Sequence, residues 1–238
     1  MMTLFYSALE KYYDYIFPKK KRVINVITNL AGKPPKNILD VACSTGEYSL
    51  DLFSKGYSIV AIDLNEKMIS NLKNKNAMID SRVMNMLDIG TIDKKFDLIF
   101  CIGNSMVHLD NNEEVFRFLS QSREILSENG TLLLQIVNYD RILKKNITSL
   151  PSIYNKEKNI VFYRNYKISD DKKKVNFNTI LEVGEKKYQN EVDLLALQSD
   201  ELTSLLHKAG FSTVKLYGDF AGSKFINQES FPLVIIAT

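Results

Sequence analysis

Acidic and small residues gather at the downstream ends of four apolar runs in the first half of this 238-residue chain. N-I-L-D-V-A-C-S-T-G (Asn37 to Gly46) ends in a turn of small residues, V-A-I stops at Asp63, M-N-M-L stops at Asp88, and an F-D-L-I-F run leads into Cys101 to Ser105. A strand that enters a helix through such a turn lets a ligand approach the backbone and points helix N–H groups at it. Asp63, with no helix of its own begun, is placed to accept two hydroxyls, as recognition of a ribose demands. Asp88 is placed to accept a hydrogen bond from an exocyclic amine such as that of adenine. Asp40, inside an apolar strand, needs hydrogen bonds from the turn or a positive group to offset its burial. The glycine positions of a dinucleotide fingerprint read Ala42, Ser44 and Gly46, and the absence of G-K-[ST] excludes a P-loop.

The elements that must position these residues are legible as periodicity. Leu4 to Leu30 is helical with a break at Pro18, so two helices precede the first strand, Ile38 to Ala42. Helices at Glu47 to Ser54, Glu66 to Asn74 and Glu113 to Leu126 alternate with strands at Ser58 to Ile62, Arg82 to Leu87, Phe96 to Ile102 and, after an Asn129-Gly130 turn, Thr131 to Val137. Asp88 to Lys95 reads as a polar loop. This alternation requires parallel crossovers, hence a doubly wound α/β sheet with helices on both faces, whose ligands bind beyond the carboxyl ends of the strands. The rhythm then changes. Ile160 to Ile168, Lys174 to Val183 and Lys187 to Leu197 have β character, with Val175, Phe177 and Thr179 on one face, as in an inserted antiparallel sheet. A helix from Asp200 to Ala209, with Ser199 as its N-cap, and strands at Thr213 to Tyr217 and Pro232 to Ala237 complete the pattern. The expected division is a main domain of residues 1–150 and 199–238 with an inserted segment, 151–198.

Composition narrows the class without naming a partner. Hydrophobic residues make up 45% and charged residues 25%, ordinary for a globular protein, and a net charge of +3 is spread thinly. Lys19 to Arg22 and Lys172 to Lys174 read as solvated faces rather than nucleic-acid sites. Two cysteines and two histidines support neither a zinc cluster nor a disulfide framework, so no metal is expected. No signal-like or membrane-length apolar run occurs, and a cytoplasmic location is the default.

Taken in order, L-D-V-A-C-S-T-G, A-I-D-L-N-E-K-M-I, M-L-D-I, F-D-L-I-F-C-I-G-N-S-M-V-H-L and L-S-E-N-G-T-L-L-L-Q resemble the successive motifs of class I S-adenosylmethionine-dependent methyltransferases. The resemblance runs motif by motif from about Lys36 to Asn138. Y-Y-D-Y-I-F-P, G-N-S-M-V-H-L, V-N-Y-D-R and G-D-F-A-G-S resemble the small-molecule branch that includes glycine and sarcosine N-methyltransferases. The resemblance implies a Rossmann-like, mostly parallel seven-stranded sheet with the last strand antiparallel, and an insertion after the fifth strand that roofs the acceptor site. It also implies that S-adenosylmethionine is held by Tyr13, by Asp40, Ala42, Cys43, Ser44 and Gly46, by Asp63, Leu64 and Met68, by Leu87, Asp88 and Ile89, and by Cys101, Ile102, Gly103 and Ser105. The family usually carries glycine at the positions of Ala42 and Ser44.

Methyl transfer from a sulfonium is an in-line displacement whose rate comes mainly from alignment and exclusion of water. The acceptor-side candidates are Tyr6, Tyr13, Asn104, His108, Asn138, Tyr139, Arg141, Arg164 and Tyr166, with His108, Asn104, Arg141 and Tyr139 foremost. Arg141 or Arg164 can hold an acceptor carboxylate through paired donors. His108 reads either as a proton acceptor or as a structural side chain, and the tyrosines of the first helix either as pocket or as core. Cys43 and Cys101 read as buried strand-end residues rather than nucleophiles. The expected reaction is methylation of a small-molecule N or O acceptor, without nucleic acid or membrane. An RNA or protein methyltransferase and a non-catalytic scaffold are the alternatives. Against the former, I-G-N-S stands where an amide-reading N-P-P-Y tetrapeptide would.

Overall fold

A computed structural model describes residues 2–238. Its main sheet has seven strands: β1 (Asn37–Val41), β2 (Ser58–Asp63), β3 (Asp80–Val83), β4 (Phe96–Cys101), β5 (Leu126–Val137), β10 (Val214–Tyr217) and β11 (Pro232–Ala237), in the order β10-β11-β5-β4-β1-β2-β3. The first five run parallel, and β11 pairs antiparallel with both β5 and β10. Order reverses between β1 and β4, and the carboxyl ends of those two strands frame the crevice.

Strand alternation explains the layers. Ile38, Leu98, Phe100 and Leu133 point to one face, where α2 (Lys21–Ala31), α3 (Glu47–Ser54) and α4 (Glu66–Lys75) bring Val23, Ile27, Leu52, Ile69 and Leu72. Leu39, Val41, Ile99, Leu132 and Leu134 point to the other, against α5 (Asn112–Ile125) and α7 (Ser199–Lys208). Both faces are apolar because both are covered, which is how a parallel sheet is stabilised.

The second sheet is antiparallel and four-stranded: β6 (Ser149–Asn155), β7 (Ile160–Ile168), β8 (Lys174–Val183) and β9 (Lys186–Leu195). One strand more than the periodicity predicts is present. The S-L-P-S-I-Y-N of β6 hides its alternation behind Pro151, which an edge strand tolerates. A short helix, α6 (Tyr139–Lys144), links β5 to this sheet. Tyr166, Val175 and Leu194 belong to the same core as β4 and β5, while Ile160, Phe162 and Leu181 pack beneath Phe5, Ala8 and Ile16 of the first helix, α1 (Met2–Ile16). The insertion is therefore welded to the main sheet on one side and to α1 on the other.

Three boundaries differ from expectation for local reasons. The third strand ends at Val83, because the Asn85 side chain accepts from Leu87 N at 3.0 Å and starts a 3-10 turn, Met86–Thr91, that carries Asp88. The fifth strand begins at Leu126, not Thr131: pairing steps from Phe96–Leu126 to Leu98–Thr131, so Asn129-Gly130 lies in a bulge within the strand rather than in a turn before it. Ser199 opens α7 but does not cap it, and its N–H donates to Asp140 Oδ2 at 2.9 Å. Among the described residues no helix is long and apolar enough to cross a membrane.

Candidate active site

Strand parity places Asp40 on the face covered by α3, and there its partner is Ser49, whose Oγ donates to Asp40 Oδ2 at 2.6 Å. Among the described residues neither the turn nor a cation serves it, contrary to the two options that the sequence leaves open. Asp40 is almost fully buried, and burial, opposed by Ser49 and reinforced by the nearby Asp63 charge, pushes its pKa up to about 7.

The turn after β1 holds Ala42 and Ser44 in the left-handed region, at φ 59° and 52°, followed by Gly46 at 78°. These include the two positions where the family usually carries glycine, so the chain accepts backbone strain there that glycine would avoid. Gly46 itself cannot be replaced cheaply, because its φ of 78° is strained for any side chain and a Cβ would run into the Leu72 side chain. Gly46 precedes α3 without any side-chain cap, which leaves helix N–H groups available at the mouth of the crevice.

Asp63 ends β2, half-buried. Oδ2 accepts from Ser44 N at 2.9 Å and Oδ1 from Asn65 N at 2.8 Å. The carboxylate is thus locked to the turn rather than free, but each oxygen keeps a lone pair for a further donor. Burial raises its pKa despite those N–H groups. Asp88 is exposed and meets Arg117 Nη2 at 3.3 Å, while Gln121 of α5 braces its turn through Leu87 O and Gly90 N. Leu64 projects into solvent beside Asp63. Met68, Ile89, Cys43 and Cys101 are buried, and burial pushes both thiols up.

Beyond β4, Gly103 has φ 82° and open space where a Cβ would stand. Ile102 is half-buried, and Ser105 Oγ returns to Ile102 O at 3.2 Å. Gln135, a polar residue inside L-L-L-Q-I-V that sequence reasoning passed over, accepts from Gly103 N at 2.8 Å through its side chain and from Asn104 N at 3.2 Å through its carbonyl. Asn104 accepts from Val137 N at 2.8 Å and donates to Tyr139 Oη at 3.2 Å, joining the ends of β4 and β5. Tyr139 is fully buried beside Tyr166. His108 closes a 3-10 turn (Met106–His108) against which β9 packs. Its ring reaches solvent, yet the protein around it holds its pKa below the usual value. Arg141 lies over the Phe231 ring at 5.6 Å. Asn138 is not a pocket residue: it is buried, and its amide donates to Asn227 O and Ser230 O at 2.7 and 2.8 Å, anchoring the loop before β11.

Over this crevice lies α1. Tyr13 bonds the Ser44 side chain through its hydroxyl, and burial, reinforced by the nearby Asp63 charge, pushes its pKa up to about 12. Asp14 accepts from Thr45 Oγ1 of the turn and from Lys75 Nζ at 2.9 Å, and Lys75 also meets Glu47 at 2.9 Å. These contacts join residues about 30 and 60 positions apart and left no local signal in the sequence. Among the described residues no group of three or more His, Cys, Asp or Glu side chains is arranged to hold a metal ion.

An oriented carboxylate at Asp63, an exposed one at Asp88, an uncapped helix start at Gly46 and the open space above Gly103 fit a nucleoside carrying a charged tail. A family model described as a methyltransferase domain matches residues 38–130. The chain is similar to the glycine/sarcosine N-methyltransferase of Aphanothece halophytica, at 26% identity over 78% of this chain and 69% of that protein. It is also similar to the enzyme of the same name from Halorhodospira halochloris, at 28% identity over 82% and 72%. Among solved structures, a S-adenosylmethionine-dependent methyltransferase from Clostridium acetobutylicum shares the fold, with a TM-score of 0.81, 18% identity and 98% of each chain covered.

Proposed function

We propose that this chain is a class I S-adenosylmethionine-dependent methyltransferase whose acceptor is a small-molecule amine, methylated at nitrogen inside a roofed chamber. The observation that carries this reading is the second sheet: its Tyr166, Val175 and Leu194 share the core of β4 and β5 and its Ile160, Phe162 and Leu181 pack under α1, a placement that suits a small acceptor better than a macromolecular one. The relatives' names, glycine/sarcosine N-methyltransferase, support an amine.

When bound, S-adenosylmethionine supplies a methyl carbon activated by the neighbouring sulfonium charge. Asp63 would take the ribose hydroxyls, Asp88 the adenine amine, and the uncapped start of α3 the methionine end. The chain's own work is alignment and exclusion of water. Asn104 and Tyr139 set the floor between β4 and β5, and residues 151–198 with α1 close the top. His108, although burial lowers its pKa, is the side chain assigned to take the proton that an ammonium acceptor must lose to become nucleophilic.

The test is a methyl-transfer screen over small amines, amino acids, phenols, RNA and protein, read by release of S-adenosylhomocysteine and by product mass. Methylated amines support the reading. Turnover only with RNA, protein or phenols removes it.

A further inference from the structure

Where β4 leaves the sheet, the rim of the crevice turns on two residues. Regular pairing of β4 with β5 stops at Cys101–Leu134, and the chain then passes through Gly103 and Asn104, both in the left-handed region at φ 82° and 70°. Asparagine pays a steric cost in that region, and such a conformation persists only where the surroundings over-determine it. The segment runs directly into the turn Met106–His108, so the pivot at Gly103 and Asn104 sets where the side chains of both Asn104 and His108 stand.

Gln135 of β5 holds one side of this pivot by two hydrogen bonds. Its backbone carbonyl accepts from Asn104 N at 3.2 Å, a contact that any residue at the position would offer. Its side-chain Oε1 accepts from Gly103 N at 2.8 Å, and that contact needs the carboxamide. Gln135 shares a sheet face with Leu133, which packs with Phe100 in an apolar core, so a polar group at the end of this row costs desolvation that an apolar side chain would not. What the carboxamide adds is an acceptor for an N–H that the β5 backbone leaves unserved. The other side of the pivot is held by Asn104 itself, which accepts from Val137 N at 2.8 Å and donates to Tyr139 Oη at 3.2 Å. The Tyr139 hydroxyl is in turn hydrogen-bonded to that of Tyr166, which carries the chain of contacts from the main sheet into the second.

We propose that Gln135 is a positioning residue for methyl transfer: through Gly103 N it fixes the left-handed pivot, and with it the Asn104 and His108 on which alignment of the acceptor depends. This deepens the amine reading above and rests on it. Gln135 acts through the rim backbone rather than on the acceptor, so its loss falls on kcat and not on affinity. An in-line displacement tolerates little misplacement, and an error of about 1 Å is enough to cost about a hundredfold.

The experiment compares the wild type with Gln135→Met, which keeps the length of the side chain and removes the acceptor, and with Gln135→Glu, which keeps an acceptor oxygen. Rates of amine methylation are divided by the number of S-adenosylhomocysteine sites found by calorimetry, so that misfolded chains do not count. Gln135→Met should lower kcat by about tenfold to a hundredfold, with acceptor KM and S-adenosylhomocysteine affinity each within about threefold of wild type. Gln135→Glu should recover most of the lost rate. Hydrogen exchange at the Gly103 amide should quicken at least about tenfold in Gln135→Met and not in Gln135→Glu. Unchanged kcat in Gln135→Met, or the same Gly103 exchange as in the wild type, would overturn the role while leaving the amine reading intact. A rise in acceptor KM at constant kcat, or a loss of S-adenosylhomocysteine affinity as large as the loss of rate, would also overturn it, by making Gln135 a binding residue. Failure of every amine with the wild type would remove both readings.

Discussion

Replacing Asp40 by asparagine isolates the electrostatic strain stored under α3. The folded protein holds this carboxyl up at about 7 against an ordinary 3.8, a difference of about three pH units. At about 1.4 kcal/mol per unit, that is worth on the order of 4 kcal/mol between the two protonation states. An acid whose folded pKa lies above its unfolded value binds its proton more tightly in the fold. Its contribution is therefore whole below about pH 4, is lost progressively as pH rises to about 7, and stays lost above that. Asparagine keeps an acceptor for Ser49 Oγ and does not titrate. Urea unfolding at pH 5, 6, 7 and 8 should show the wild type losing stability relative to Asp40→Asn across that interval, with a difference of about 3 kcal/mol between pH 5 and pH 8. All other titrating groups are common to both proteins, so only the difference matters. Parallel curves, agreeing within about 0.5 kcal/mol throughout, would refute the burial argument. They would mean that Asp40 finds water or a cation and is ionised at neutral pH.

Asp63→Ala should weaken S-adenosylhomocysteine binding by about 1–3 kcal/mol, roughly tenfold to a hundredfold, and lower Tm because the N–H groups of Ser44 and Asn65 lose their acceptor; calorimetry that finds the same affinity counts against the ribose role. Ala42→Gly should leave stability unchanged or raise it by up to about 1 kcal/mol, since relief of the left-handed backbone is partly offset by glycine's entropy; a clear loss in chemical denaturation would show that φ 59° is not strained. Lys75→Met should cost only about 1 kcal/mol of stability, because the ion pairs are partly exposed, yet should speed release of bound S-adenosylhomocysteine in stopped flow by freeing Asp14 and the α1 crossing. An unchanged release rate would detach α1 from the ligand path.

The parts of this fold that sequence revealed were those written in local pattern. Parallel strands covered on both faces are continuous apolar runs, and their ends necessarily bring Asp40, Asp63, Asp88 and Cys101 to Ser105 to one rim. What stayed hidden depended on partners far along the chain. Asp40 in I-L-D-V does not announce Ser49, because which helix covers that face follows from topology. Asn138 looked like a pocket residue by its neighbours Tyr139 and Arg141, yet its amide serves a loop about 90 positions away. β6 was missed because an edge strand needs little alternation. Three of the four strands of the second sheet were read as an insertion that roofs the acceptor site, and Tyr166, Val175 and Leu194 tie that insertion into the core of β4 and β5.

The position of β11 bears on how the chain reaches this state. Its residues pair Pro232 with Val137 at one end and Ala237 with Leu132 at the other, about a hundred positions apart, and the intervening stretch has a four-stranded sheet of its own to build. Contacts so distant in sequence are slow to form. Until they do, Leu132 to Val137 is an unpaired apolar edge of the kind that recruits other chains. The folding intermediate most prone to aggregation is accordingly one that has β1 to β5 assembled and lacks β11, and solubility should respond more sharply to changes in Leu233 to Ile236 than to changes of similar size at the opposite edge, β3.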